Sequence, residues 1–247
     1  VTQSPYLKKV IVNQRIVHEY LVNNNFCENN QIEYIFGVVS DVQNTNVPQD
    51  KLRWKIDKDT FDICFIGAKY TPLGKDKGYD TFIRVIKKLS NSHEMLRFHI
   101  IGGFDNTEID VSDLGDSISF YGYQDSKSLR NIFKKIDLII SPNVPFQLDK
   151  GAFDGFPLGT CIEAAINGVT VMACDELNQN DDNFNDNELI IIRPDVNDIV
   201  EKVKYYILNY SSLLEIGYNG QLKAQKIYSF ESQLNRRLQI LNKFIND

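Results

Sequence analysis

Three short stretches combine glycine with charge in patterns that could hold an anion. The first runs from Gly67-Ala68-Lys69 to Lys75-Asp76-Lys77-Gly78. It sets lysines and exposed backbone N–H groups just ahead of a helix-like run, an arrangement that attracts phosphate. It is not the phosphate loop of P-loop NTPases. Counting back from Gly74-Lys75, the position that requires Gly holds Lys69, and Asp76 stands where Ser or Thr is needed. The second stretch is Gly102-Gly103-Phe104, where paired glycines let a ligand or another backbone come close. The third, Phe153-Asp154-Gly155-Phe156-Pro157-Leu158-Gly159-Thr160, leads into a helix-like run carrying Glu163. Its N–H groups could hold a diphosphate, and its two carboxylates could accept hydrogen bonds from sugar hydroxyls. Taken singly, the ordinary readings are a solvated charged loop, a plain turn and a Glu that complements a helix dipole.

The elements around these stretches give them a common place. From Asp62 onward, apolar β-type runs alternate with amphipathic helical ones. Strands are expected at Ile63–Gly67, Phe98–Gly102, Ile118–Gly122, Leu138–Ser141, Val169–Ala173 and Leu189–Ile192. Helices are expected over Tyr79–Leu89, from Asp125 or Ser126 through Phe133, from near Thr160 to Asn167-Gly168, and as two or three segments over Val196–Ile245. Continuous Ile/Val/Leu strands alternating with helices predict an α/β fold, a doubly wound Rossmann-like parallel sheet covered on both faces, with a C-terminal helical segment. In such a sheet ligands bind beyond the carboxyl ends of the strands, where all three stretches fall. The first 50 residues differ. They offer short strand candidates at Val10–Val12 and Ile32–Val39, part of a helix at Val17–Val22, and a polar linker at Asp41–Asp50.

Composition narrows the function. The 247 residues carry 27 basic and 33 acidic side chains, a net charge of −6, which disfavours broad binding to nucleic acid or anionic membrane. The longest purely aliphatic run, Leu189 to Ile192, is far too short to cross a bilayer. Cys27, Cys64, Cys161 and Cys174 are irregularly spaced with no C-x-x-C, so they read as core thiols in a reducing cytoplasm rather than disulfides or zinc ligands. His99 lies in a strand and reads as a satisfied core imidazole, and Trp54 as packing near the domain entry. The acidic run Asp181–Glu188 lacks a calcium loop's glycine and terminal Glu, so no metal is expected there.

The ordered set of pieces resembles the retaining glycosyltransferases of family 4, of GT-B architecture, over roughly Asp62 to Asp175. The matching pieces are Phe65-Ile66-Gly67…Lys77-Gly78, Ile100-Ile101-Gly102-Gly103, Phe120-Tyr121-Gly122-Tyr123, and Ile140-Ser141-Pro142-Asn143. They end with Asp154-Gly155-Phe156-Pro157…Glu163-Ala164 and Gly168-Val169-Thr170-Val171-Met172. The resemblance implies a metal-independent transfer of sugar from a nucleotide-diphosphate sugar, without a cofactor. It implies that Lys77 and Asp154 serve catalysis, Lys77 on the donor phosphates. Lys69 would stand in for the family's phosphate-binding Arg, absent at Ala68. Gly67 and Gly103 would line the donor, Tyr123 and Gln124 would face the base, and Glu163 would accept the ribose hydroxyls. Gly155 and Phe156 would join Asp154 at the donor sugar, and the N–H groups of Leu158, Gly159 and Thr160 would face the diphosphate. The first acidic residue is Asp rather than the family's Glu and stands one residue farther from Glu163.

The resemblance also implies a division of the chain. Residues 1–50 would be the tail of an N-terminal, acceptor-side domain plus linker, and 51–247 the donor-binding domain. A chain that begins at Val1 is then expected to be a processed or excised C-terminal part, inactive alone and meeting its sugar or glycolipid acceptor through a missing domain. Two other readings stay open: a non-catalytic nucleotide-sugar-binding module or partner subunit, and a sugar-nucleotide epimerase of GT-B shape.

Overall fold

The computed structural model describes residues 4–39, 51–91, 93–153, 155–156 and 159–245. In chain order the elements begin with β1 (Val10–Val12), α1 (Arg15–Asn23), β2 (Ile32–Tyr34), β3 (Phe61–Gly67), α2 (Tyr79–Ser90) and β4 (Leu96–Gly102). They continue with β5 (Ile118–Phe120), α3 (Ser126–Phe133), β6 (Leu138–Ser141), α4 (Gly159–Ile166), β7 (Thr170–Cys174), β8 (Ile190–Ile192), α5 (Val196–Leu208), α6 (Tyr210–Ile227) and α7 (Phe230–Ile245).

Contacts divide the chain into two compact units, residues 45–223 and residues 1–44 together with 224–247. The last helix therefore groups with the N-terminal segment, whereas the sequence reading placed it with 51–247. The polar stretch 41–50 lies outside the described residues.

The larger unit is built on six strands, all parallel, in the order β5-β4-β3-β6-β7-β8. The central strands are apolar on both sides because helices cover both faces, and β6 and β7 are buried at every residue. Helix α2 turns Tyr79, Phe82, Ile83, Val85, Ile86 and Leu89 inward at helical spacing. Each such side chain contributes roughly 1.5–3 kcal/mol on burial. The Asp125 carboxylate accepts from Ser128 N at 2.7 Å and fixes the start of α3. Gly168, at φ +73°, supplies the left-handed stop after α4.

Two strand starts come earlier than expected, β3 at Phe61 and β4 at Leu96. Each gains a polar residue, Asp62 or Arg97, that an apolar pattern would exclude. Asp62 is accommodated because the network beneath the sheet saturates it. Lys58 Nζ lies 2.5 Å from both Asp62 Oδ2 and Asp137 Oδ2. Asp137 also accepts from Asp62 N at 2.8 Å and Tyr210 OH at 2.7 Å. His99 is buried, with Nε2 2.6 Å from Asp62 and Nδ1 2.9 Å from Tyr121 OH. Trp54 is buried edge-on against Phe61 and Tyr210. β5 stops before Gly122, whose φ of +65° leaves the extended region.

In the smaller unit β1 pairs in parallel with β2 across α1. Val12, Cys27 and Ile32 form its small core. The expected strand 32–39 ends at Tyr34, and the chain turns at Gly37 (φ +96°), where a Cβ would lie 2.7 Å from Tyr228 Cε1.

Candidate functional site

The chain leaves β3 toward β4 on one side and returns to β6 on the other, so the strand order reverses between β3 and β6. A crevice forms beyond the carboxyl ends at such a point. Here the two loops that flank it are tied together by backbone. Val144 N donates to Asp76 O at 3.0 Å. Gly78 adopts φ +70°, and a Cβ there would lie 2.0 Å from Pro142 O. Only glycine lets these loops approach so closely. Lys77, half-buried, sits between these two ties. Its ammonium lies 5.3 Å from the centre of the exposed Tyr70 ring, and a Cβ on Gly67 would lie 3.3 Å from Lys77 Cγ. The side chain therefore runs along the open backbone at the end of β3.

Across the crevice floor Gly103 N donates to Gly67 O at 3.1 Å. A Cβ on Gly103 would meet Tyr123 OH at 2.6 Å and Lys69 N at 3.1 Å. The structure thus brings Gly67, Lys69, Lys77, Gly103 and Tyr123 together from three separate loops. Tyr123 is 72% exposed, and Gln124 holds its own loop by donating to Tyr121 O at 2.6 Å. Lys69 is not idle: its ammonium forms an ion pair with Glu108.

The third stretch contributes the start of α4. Gly159 and Thr160 open this helix, and among the described residues a Cβ on Gly159 would meet nothing within 4 Å. Glu163 is half-buried on the first turns. Burial raises its carboxyl above the usual range, opposed by a Ser126 hydrogen bond and the Arg130 charge at α3. Phe156 is 3% exposed, its ring edge-on to Phe184 at 6.0 Å. The resemblance places Phe156 at the donor sugar, and in the free chain its ring is buried. Gly155 is half-buried beside it. Asp154 and Leu158 lie outside the described residues.

The Glycosyl transferases group 1 family matches residues 47–223 of the sequence. The chain belongs to that family. Among solved structures, a glycosyltransferase from Rickettsia africae superposes with a TM-score of 0.71 at 15% identity, over 97% of this chain and 64% of that one. HepE from Anabaena, in complex with UDP and glucose, gives 0.72 at 15%, over 96% and 64%. The C-terminal domain of LpcC, a glycosyl transferase group 1 family protein from Francisella tularensis, gives 0.56 at 18%, over 76% and 95%. These likenesses show the fold, that of a GT-B glycosyltransferase with its C-terminal helices. The first two also show that this chain spans less than two thirds of their length. No curated protein sequence matches it. Among the described residues no helix is long and apolar enough to cross a membrane.

In this group 1 family member the loops at the strand-order reversal present the Lys77 and Lys69 ammoniums together with the exposed rings of Tyr70 and Tyr123. Sequence reasoning passed over Tyr70 and Glu108 as site residues. Tyr70 stands in the first stretch but carries no charge or glycine signal. Nothing in the sequence pairs Glu108 with Lys69, 39 positions away. Asp76 was also passed over. It is 1% exposed, with Oδ1 2.5 Å from Thr71 Oγ1, and it braces the loop that carries Lys77.

Proposed function

We propose that this chain is the donor-binding part of a retaining, metal-independent family 4 glycosyltransferase. It takes a sugar from a nucleotide-diphosphate sugar for polysaccharide or glycoconjugate synthesis. The observation that carries the reading is the strand-order reversal between β3 and β6, where Gly67, Lys69, Lys77, Gly103 and Tyr123 converge and Lys77 lies between two backbone ties. Family membership supports glycosyl transfer, and the UDP held by the Anabaena relative supports a nucleoside diphosphate as leaving group.

The chemistry follows from charge. When the bond between the anomeric carbon and the diphosphate oxygen breaks, negative charge grows on the phosphates and positive charge on the sugar ring. Lys77 and the N–H groups of Gly159 and Thr160 stabilise the first in a prepositioned geometry, with Lys69 adding charge once it leaves Glu108. A carboxylate at Asp154 and carbonyl oxygens of the same loop serve the second. Glu163, kept close to Ser126, accepts the ribose hydroxyls, and the loop of Tyr123 and Gln124 faces the base. The acceptor is held by an N-terminal portion beyond this chain, so the chain alone binds donor and does not transfer. The free, buried cysteines suit a reducing cytoplasmic location.

The test is thermal unfolding of the chain against UDP, GDP, ADP, CMP and their common sugar conjugates. A ligand at 100 times its Kd stabilises by about 2.7 kcal/mol, a visible shift. A shift with one nucleoside diphosphate and its sugars is expected and names the base. No shift with any of them at millimolar concentration overturns donor binding by this chain.

A further inference from the structure

At the far end of the sheet from the crevice, a cleft of about 410 Å³ opens among the starts of β6 and β7, the end of α4 and helix α6. It lies within the 45–223 unit and shares no residue with the donor crevice. Its size falls in the range of small-molecule sites and suits one or two sugar rings.

The chemistry of its wall selects a neutral ligand. The charged side chains there are already committed. Lys51 donates to Phe133 O at 2.7 Å and also to Ile136 O. Arg53 is paired with Asp57 at 2.9 Å, and Asp137 is saturated by Lys58 and Tyr210. The carbonyl end of α4 points here as well, which disfavours an anion. The amides are half-used instead. Asn167 Nδ2 donates to Glu163 O and Gln221 Nε2 to Ile166 O, both at 2.8 Å. Among the described residues, nothing donates to Asn167 Oδ1 or Gln221 Oε1. Tyr218, 56% exposed on α6, adds a flat aromatic surface to the lining. Gly217 lets α6 lie close against β7, since a Cβ there would lie 2.6 Å from Thr170 Oγ1.

We propose that this cleft is a second carbohydrate site. It takes a neutral hexose or disaccharide whose hydroxyls donate to Asn167 Oδ1 and Gln221 Oε1 and whose ring lies on Tyr218. The site is separate from the donor crevice and would stand even if the chain bound no nucleotide.

Saturation-transfer NMR and calorimetry on the whole chain test it. The probes are glucose, galactose, N-acetylglucosamine and maltose, with glucuronate and glucose 6-phosphate as charged counterparts. At least one neutral sugar should bind, more tightly than the charged ones. Tyr218→Ala removes an exposed ring and should weaken that sugar about fivefold or more, while Tyr218→Phe keeps the binding. Neither variant should alter the thermal shift given by nucleotides. The proposal is overturned if no neutral sugar binds at high concentration, if the charged sugars bind better, or if Tyr218→Ala leaves sugar binding unchanged.

Discussion

The two ends of the six-stranded sheet use charge in opposite ways. Beneath the strands, Lys58, Asp62, Asp137, His99, Tyr121 and Tyr210 form a buried network in which each polar group meets another at hydrogen-bond distance. Above them, Lys69 and Lys77 stand among glycines, and Lys69 pairs with the partly exposed Glu108. A saturated charge holds the chain together and offers nothing to a ligand. An incompletely saturated one costs stability and can be repaid by binding. Both ends carry conspicuous polar residues in the sequence, and only the partners tell them apart.

The contrast is broken most forcefully at the lower end. Asp137→Ala removes the acceptor shared by Lys58, Asp62 N and Tyr210, leaving an ammonium and a phenol short of partners inside the protein. Removing one member of a buried charge pair costs about 3–5 kcal/mol, which should appear as a large drop in the urea midpoint. At the upper end the same kind of change should spare the fold. If Lys77 holds the donor phosphates as proposed, Lys77→Ala should weaken UDP binding by roughly 1.5–3 kcal/mol, while lowering the urea midpoint far less than Asp137→Ala does. Equal effects of the two substitutions on stability would remove the distinction.

The difference explains what was legible in the sequence. Periodicity placed the six sheet strands and the helices around them, because burial on both faces leaves continuous apolar runs such as Leu138–Ser141. It missed the first residues of β3 and β4, where Asp62 and Arg97 enter the strands. Asp62 can do so only through Lys58 and His99, and that pairing is a fact of three dimensions. His99 was readable as a satisfied core imidazole, though its partners were not. At the candidate site, glycine spacing located the loops, since close approach leaves few alternatives at Gly78 and Gly103. Side-chain fates were not readable. The resemblance places Phe156 at the donor sugar, and nothing in the motif signals that its ring packs edge-on against Phe184, about thirty residues later in the chain.

Acid should reveal the lower network before the upper site. Burial alone would raise the Asp62 carboxyl, but hydrogen bonds from His99, Lys58 and Thr60 outweigh it and bring the pKa to about 2 from 3.8. Burial lowers His99 below its ordinary 6.5, with Asp62 opposing. Both folded values lie below the unfolded ones, so the unfolded chain binds more protons and stability falls as pH falls. The loss begins below about 6.5 as His99 resists protonation, and resumes from about 4 down to about 2, where Asp62 accounts for about 2 kcal/mol. Urea titrations from pH 8 to pH 3 should show both phases, and His99→Gln should flatten the first. A stability profile that is level between pH 7 and pH 5 would take His99 out of the account.

The smallest effect sharpens the comparison most, because it turns on the ion pair at the upper end. Lys69 is ion-paired with Glu108, so if Lys69 binds the donor phosphates as proposed, Glu108 would compete with them for its ammonium. Lys69 is exposed, and a surface pair of this kind contributes less than about 1 kcal/mol. Glu108→Gln should therefore leave thermal stability nearly unchanged and tighten UDP binding by about two- to fivefold. The gain should vanish when Lys69 is already Ala, since no ammonium is then released. A gain that persists in the double variant would mean that Glu108 repels the phosphates directly. Weaker binding in Glu108→Gln would mean that the pair orients Lys69, and the upper end would then share the saturated logic of the lower one.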